Sequence, residues 1–262
     1  MAARLSRRLI LSLCAGLLFA DLLLTWKALN PYDASLERVL AAGVLRVGID
    51  PTYPPYGVFA GETISGLDAD LAEEIAARLG VRVQFVPLGI DGLYDALAAD
   101  QIDLLLSAVA FDPYRLNEFL YLRSYMDAGQ VLVSANATIT TMGAMEGRTL
   151  AVEYGSLGDE LARRWVRRLR VLNLTHHLTT DAALDALRRG EAAAALVDHT
   201  SARLYLRTHP DAGLFIAPQS VQSDPYCPVT RLRALKLAMA VNAALEAMAD
   251  DGTLEKLLQR WL

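Results

Sequence analysis

The chain is poor in cysteine, with two among 262 residues, and in histidine, with four. Cys14 lies in an apolar N-terminal stretch and Cys227 lies far downstream. An intrachain disulfide scaffold is therefore not expected, and Cys227 reads as a small buried apolar residue. His176 and His177 have no cysteine or carboxylate at ligand spacing, so no metal site is expected. There is no basic excess: 25 Lys and Arg face 30 Asp and Glu, for a net charge of -5. A nucleic-acid surface, which needs clustered positive charge, is excluded on that ground. Five arginines, Arg163, Arg164, Arg167, Arg168 and Arg170, crowd one predicted helix, and four of the five read as a solvated face. No low-complexity tract or heptad run interrupts the sequence.

Cofactor signals are missing as well. Gly155-Ser156-Leu157-Gly158 lacks the lysine of a phosphate loop. His199 beside Asp198 has no nucleophile on a matching elbow. No cofactor is expected.

What the chain does have is apolar content, 53% of all residues, enough to bury one large core or two smaller ones. Arg4, Arg7 and Arg8 precede an apolar run from Leu9 to Trp26, the order of a secretory signal. Residues 1–28 are read as a signal peptide or an N-terminal membrane anchor. The run approaches the roughly 20 residues needed to span a bilayer, whereas a carboxylate such as Asp21 costs about 3 kcal/mol on insertion scales. Leu18 disfavours cleavage after Ala20, and Cys14 comes early for lipid attachment. Export is expected, with the segment removed or kept as a tether, which places the protein in the periplasm or on the outer face of a membrane.

Beyond Asn30-Pro31 the pattern alternates strand and helix. Val44 to Ile49 reads as a buried strand. Asp68 is placed as a helix N-cap, with Leu71, Ile75 and Leu79 at helical spacing and Gly80 as the stop. Val81, Val83 and Phe85 alternate as a strand does. Leu93, Ala96 and Leu97 fit a second helix, and Ile102 to Leu106 is an apolar run suited to a strand covered on both faces. The plan restarts near Arg148: a strand to Tyr154, a turn, a helix from Asp159, and a strand from Val171 to Leu174. A helix capped by Thr180 follows, then a strand from Ala193 to Val197 and a helix after Asp198. The tail from Leu232 is helical, broken at Asp251-Gly252, and is expected to fold back on the first half. Two α/β lobes follow, each a mostly parallel sheet with right-handed crossovers.

Parallel sheets of this kind bind ligands outside the carboxyl ends of their strands. Those ends carry Asp50, Tyr53 and Tyr56, then Ser107 with Arg115 a few residues on, and in the second half Ser156 and Asp198. A guanidinium grips a carboxylate bidentately, a carboxylate pairs with an ammonium, and an aromatic face covers an apolar or cationic part. The set suits a zwitterion.

At these residues the chain resembles the family 3 solute-binding proteins, the amino acid receptors of bacterial ABC importers. Leu45-Arg46-Val47-Gly48-Ile49-Asp50-Pro51-Thr52-Tyr53-Pro54-Pro55-Tyr56 is similar to that family's opening strand and aromatic loop. Gly66-Leu67-Asp68-Ala69-Asp70-Leu71 is similar to its first helix entry. Asp100-Gln101-Ile102-Asp103-Leu104 and Asp112-Pro113-Tyr114-Arg115 resemble the segment before and within its carboxylate-binding loop. Gly190 to Asp198 resembles its second-lobe strand, and Asp251-Gly252-Thr253-Leu254 with Trp261 its tail. The resemblance implies the two-lobed periplasmic-binding-protein fold of type II, with the ligand in the cleft between lobes. It implies lobe 1 from 36–133 plus 229–262, lobe 2 from 134–228, and hinges near Gly129 to Ser134 and Pro218 to Pro228.

It further implies that Arg115 binds the ligand's α-carboxylate and Asp198 its α-ammonium. Tyr53 and Tyr56 would wall the ligand, Asp50 would sit near its side chain, and Ile90 would form an apolar wall. Ser107 belongs to the carboxylate loop, and Ser156 would help hold the carboxylate through its hydroxyl and a backbone N–H. The implied partners are a small amino acid-like ligand and the membrane permease of an ABC transporter, with the protein itself a monomer. Ala108, Ala110 and Leu157 depart from the family pattern of small hydroxyl residues, which removes hydrogen-bond donors worth about 1.5–3 kcal/mol each to a charged group. Two other readings use the same pocket. One is a dehydratase of cyclic carboxylates, with Asp198 or Glu153 as the acid; the other is a tethered sensor module that signals through a separate partner.

Overall fold

The computed structural model describes residues 32–262 together with Asp21. The proposed signal or anchor, including Cys14, otherwise lies outside the described residues. Among the described residues no helix is long and apolar enough to cross a membrane.

The first sheet opens with β1 (Val44–Ile49), and the chain then makes a small three-stranded ribbon of β2 (Thr52–Tyr53), β3 (Gly57–Ala60) and β4 (Thr63–Ser65). Helix α1 (Ser35–Ala42) precedes β1; α2 (Leu67–Leu79), β5 (Arg82–Pro87), α3 (Ile90–Ala98) and β6 (Leu104–Leu105) follow. β1 pairs in parallel with β5 on one side and β6 on the other. The sheet is completed by β7 (Phe119–Tyr121) and by β15 (Val229–Arg231), in the order β5-β1-β6-β15-β7. β15 runs antiparallel to both neighbours.

The second sheet repeats this plan with β9 (Gln130–Ser134), β10 (Arg148–Glu153), β11 (Leu172–His177), β12 (Ala194–Asp198) and β13 (Phe215–Ile216), in the order β11-β10-β12-β9-β13. Here β9 is the antiparallel strand. Each sheet is thus mostly parallel, with one reversed strand that arrives directly from the other half. The two crossings are themselves paired, as β8 (Met126–Asp127) against β14 (Pro225–Tyr226). The architecture is the two-lobed α/β arrangement expected from the strand and helix pattern.

Period-two alternation explains the cores. Leu104 and Leu105 point to opposite faces of the first sheet and belong to different apolar clusters. Ala195 and Val197 of β12 join one face of the second sheet; Ala194 and Leu196 join the other. Strands covered on both faces read as unbroken apolar runs for this reason. In the first sheet the same run, Ile102 to Leu106, narrows to a two-residue strand, because only Val47 and Gly48 of β1 stand opposite it. The tail does fold back: Leu237, Val241, Leu245 and Met248 of α7 (Leu235–Asp250) and Leu258 of α8 (Thr253–Trp261) pack into the cluster of Leu45, Val47, Leu71 and Ile75.

Three helix starts differ from expectation. Asp68 is not the N-cap of α2. The amides of Leu67 and Asp68 donate to the carbonyls of Pro55 and Tyr56, so the aromatic loop caps the helix by its backbone and Asp68 turns inward. At α5 (Thr180–Arg188) the cap is Thr179, whose Oγ1 accepts from the Ala182 amide at 3.1 Å. The helix expected from Asp159 begins two residues earlier, as α4 (Leu157–Val166), with Ser156 as its cap. Gly80 stops α2 as expected, in the left-handed region at φ 73°.

Gly129 sits where the crossing strands touch. A Cβ there would lie 2.0 Å from the Gln222 carbonyl oxygen and 2.8 Å from the Asp224 nitrogen. Both are backbone atoms of the returning crossing, which cannot yield cheaply. Gly129→Ala is expected to cost about 1–3 kcal/mol, seen as a lower midpoint in urea with unchanged slope.

Candidate functional site

The carboxyl ends of β1, β5 and β6 are tied into one knot. The Asp50 amide donates to Ser107 Oγ at 2.9 Å. Asp50 Oδ1 accepts from the Thr52 amide at 2.9 Å and from its hydroxyl at 2.6 Å; Oδ2 accepts from the Ile90 amide at 3.1 Å. The Thr52 hydroxyl leads the interactions that hold the Asp50 carboxyl below its ordinary pKa, against a smaller opposing effect of burial. Three predicted site residues, Asp50, Ile90 and Ser107, are therefore brought together. Asp50 spends both oxygens fastening the first turn of α3 and its own loop.

Tyr53 and Tyr56 flank a cis Pro54-Pro55 peptide and stack with ring centroids 5.5 Å apart and planes 14° apart. Their environments differ: Tyr53 is 49% exposed, whereas Tyr56 is 2% exposed. Tyr56 meets Tyr226 of β14 edge-on at 5.4 Å, and its hydroxyl shares a 2.6 Å hydrogen bond with Thr200 Oγ1 of the opposite half. Burial raises the Tyr56 pKa, and the charges of Asp68 and Asp198 add to it. Tyr56 is thus a floor between the halves, and Tyr53 is the ring that faces outward.

Asp198 ends β12 and caps α6 (His199–Thr208), with Oδ1 accepting from the Ser201 amide at 2.8 Å. No hydrogen bond reaches Oδ2 among the described residues. Helix α6 continues onto the first half: Arg207 Nη1 donates to the Trp261 carbonyl at 2.6 Å, and Arg203 stands 3.3 Å from Glu255.

Ser156 also caps its helix. Its Oγ accepts from the Asp159 amide at 3.1 Å and donates to the Glu153 carbonyl at 2.8 Å. The hydroxyl proton is thereby used within the loop, which leaves the first-turn amides of α4 as the donors that the loop can turn outward. The loop is pinned by Asp159, which is 3% exposed. It accepts from the Gly155 amide at 3.1 Å, from Arg163 at 2.8 Å, and meets His176 at 3.0 Å. Burial alone would raise the Asp159 pKa; Arg163 and these other partners bring it down to about 2.

Arg115 ends a 3-10 turn, Pro113–Arg115, that Asp112 caps. Its Nε is 3.5 Å from Asp112 Oδ2 and its side chain is 43% exposed. A cavity of about 810 Å3 lies beside Tyr32, Arg38 and Arg231, and one of about 510 Å3 at Ser156 is walled by the second half alone; neither is lined by Arg115 or Asp198.

One residue beneath the site was not foreseen in its role. Asp68 is fully buried, and its Oδ2 accepts at 2.6 Å from the amide of Ala108, a residue held at φ 49°. Its Oδ1 and the Tyr125 hydroxyl are buried with no hydrogen-bond partner at bonding distance among the described residues. Burial pushes the Asp68 carboxyl up to about 7, with Tyr125 and the Ala108 amide pulling the other way. The signal lay in the periodicity: Asp68, Leu71, Ile75 and Leu79 share one helical face, so a carboxylate on that stripe is an inward one.

The family described as "Bacterial extracellular solute-binding proteins, family 3" matches residues 45–262. Among characterised proteins, the "Arginine-binding extracellular protein ArtP" of Bacillus subtilis is 26% identical over 226 residues, covering 83% of this chain and 85% of that protein. The "L-cystine-binding protein TcyJ" of Escherichia coli K12 is 28% identical over 234 residues, 87% and 86% of the two chains. The "Cyclohexadienyl dehydratase" of Pseudomonas aeruginosa is 27% identical over 195 residues, 72% of each. Among solved structures, an ancestral cyclohexadienyl dehydratase superposes with a TM-score of 0.74 at 24% identity, covering 86% of this chain and 95% of that one.

Proposed function

Because the chain belongs to the bacterial extracellular solute-binding proteins, family 3, we propose that it captures an amino acid or related small polar metabolite outside the cytoplasm and delivers it to an ABC transporter permease. Lobe 1 (36–133 with 229–262) and lobe 2 (134–228) close on the ligand about the paired crossings at β8 and β14. The observation that carries this reading is the 2.6 Å contact between Tyr56 and Thr200. It sets the acidic strand end of the second half, at Asp198, against the aromatic loop of the first. Tyr53 and Arg115 are exposed in this arrangement, which is the open partner of an open–closed pair that a ligand shifts by touching both lobes. Arg115 takes the carboxylate and Asp198, through Oδ2, the ammonium. The N-terminal segment directs export and is either removed or kept as a tether.

The test is a thermal-shift screen against the twenty amino acids, polyamines and dicarboxylates. A true ligand at a hundred times its dissociation constant adds about 2.7 kcal/mol, which raises Tm by roughly 5–10 °C for a protein of this size. A screen in which nothing shifts Tm counts against the reading. The dehydratase relative favours one alternative, in which Asp198 or Glu153 supplies a proton in the same cleft. Glu153 Oε2 already accepts from the Thr180 hydroxyl at 2.6 Å, which suits a structural role better. Absorbance after incubation with prephenate or arogenate separates the two, and no aromatic product is expected.

A further inference from the structure

Arg115 does not project freely. Its guanidinium carbon lies 4.3 Å from the centroid of the Tyr94 ring. Tyr94 comes from α3, the helix whose first amide is fastened to Asp50. The ring is held on two further sides. Buried Phe119 packs against it at 5.1 Å, tilted 54°, and the Tyr94 hydroxyl shares a 2.7 Å hydrogen bond with the Tyr121 hydroxyl. Tyr121 is met edge-on by Phe111 at 5.3 Å. Burial raises the pKa of both phenols, so the pair stays neutral and keeps its shared proton.

The guanidinium is therefore occupied on one face by an aromatic ring and at its Nε edge by Asp112, 3.5 Å away. Among the described residues the terminal pair of Nη groups makes no hydrogen bond or ion pair. Those donors form a fork that matches a carboxylate end-on. An arginine that is free in solution must give up many rotamers to grip a ligand; one already laid on a ring has given them up beforehand.

We propose that Tyr94, locked by its hydroxyl bond to Tyr121, is a positioning residue that holds the Arg115 guanidinium with its Nη edge presented to the ligand carboxylate. The proposal rests on the reading of Arg115 as the carboxylate partner. Tyr94 touches Arg115 and acts through it. The ring does the holding through a cation–π contact, and the Tyr121 hydroxyl keeps the ring from turning.

Two measurements on the full chain test this. The first needs no ligand. The Arg115 Nε–H resonance, identified by its loss in Arg115→Ala, is expected to be displaced by the Tyr94 ring current. Tyr94→Phe, which keeps the ring but loses its hydroxyl bond to Tyr121, reduces that displacement, and Tyr94→Leu abolishes it. An Arg115 signal unmoved in Tyr94→Leu overturns the proposal. The second is calorimetry with L-arginine as the probe. Tyr94→Leu is expected to weaken binding by about tenfold when Arg115 is present and to have no further effect in an Arg115→Ala background, while Tyr94→Phe, with the ring but without its lock, falls between Tyr94→Leu and the unaltered protein. Equal losses with and without Arg115 mean that Tyr94 acts by some other route. If Arg115→Ala itself leaves L-arginine binding unchanged, the carboxylate assignment fails, and the resonance comparison still decides whether Tyr94 positions the guanidinium.

Discussion

Arg115→Ala is expected to weaken ligand binding by about a hundredfold or more, and Arg167→Ala to leave it within about twofold. A hydrogen bond to a charged group contributes about 1.5–3 kcal/mol, and a fork-shaped grip makes two of them at once. Removing the guanidinium also leaves the ligand's carboxylate facing Asp112 with no cation between them. The stability of the free protein should hardly change, because Arg115 is 43% exposed and its ion pair with Asp112 is long, at 3.5 Å; pairs of that kind contribute below about 1 kcal/mol. Arg167 sits exposed at the C-terminal end of α4 and serves as a control of equal charge. Calorimetry with the ligand returned by the thermal screen, alongside Tm of each free variant, gives the comparison. Equal affinities for the two variants would remove Arg115 from the site.

The second large effect concerns stability against pH. The Asp68 carboxyl is raised from 3.8 to about 7 in the folded protein. The folded state therefore holds a proton that the unfolded chain releases between about pH 4 and pH 7. A group of this kind favours the native state at the acid end of that window, and the contribution is lost as pH rises through it. At about 1.4 kcal/mol per unit, Asp68 withdraws about 3 kcal/mol between pH 4.5 and pH 8. Asp68→Asn removes the titration while its amide oxygen can still accept from Ala108. The variant should be the more stable protein at pH 8, by an amount that shrinks toward pH 4.5. Asp100 and Asp159, held at about 2 by their arginine partners against burial, work in the opposite sense at low pH. They are common to both proteins and cancel in the difference. Urea unfolding of the pair at both pH values is the measurement, and a gap that is the same at each would remove the assigned shift.

Much of the scaffold was legible because its elements carry a period. β5 and α2 show their alternation and helical stripe in a single line of sequence, β1 and β12 show apolar runs, and Gly80 marks a stop that needs no tertiary information. Helix starts were less legible. Asp68 and Thr180 look like caps, since a polar residue ahead of an apolar stripe is the usual sign of one; the carbonyls of Pro55 and Tyr56, which cap α2 instead, are ten and more residues away from it in the chain. The reversed strands β9 and β15 could not be placed in their sheets from local pattern, because their partners lie far off in sequence.

The site divides along the same line. Asp50 and Ser107 were named from their strand ends and Ile90 from the family resemblance, yet their mutual bonding is seen only once the parallel register sets β1 beside β5 and β6. Tyr94 went unnamed: it falls on the helix read from Leu93, Ala96 and Leu97, and nothing local in the sequence ties it to Arg115. Only the folded chain shows the Arg115 guanidinium resting on it.

The interleaving of the two halves also bears on how the chain becomes a protein. The first sheet cannot close when β6 and β7 have been made, because β15 must enter between them and α7 must then cover Leu45 and Ile75. Both are synthesised after the whole of the second sheet. A ribosome thus releases a first half with an open slot in its middle, and that slot fills only through pairing between residues far apart in sequence, which is slow. A polypeptide built this way stays unfinished until late in translation, the condition a secretion channel needs if it is to thread it.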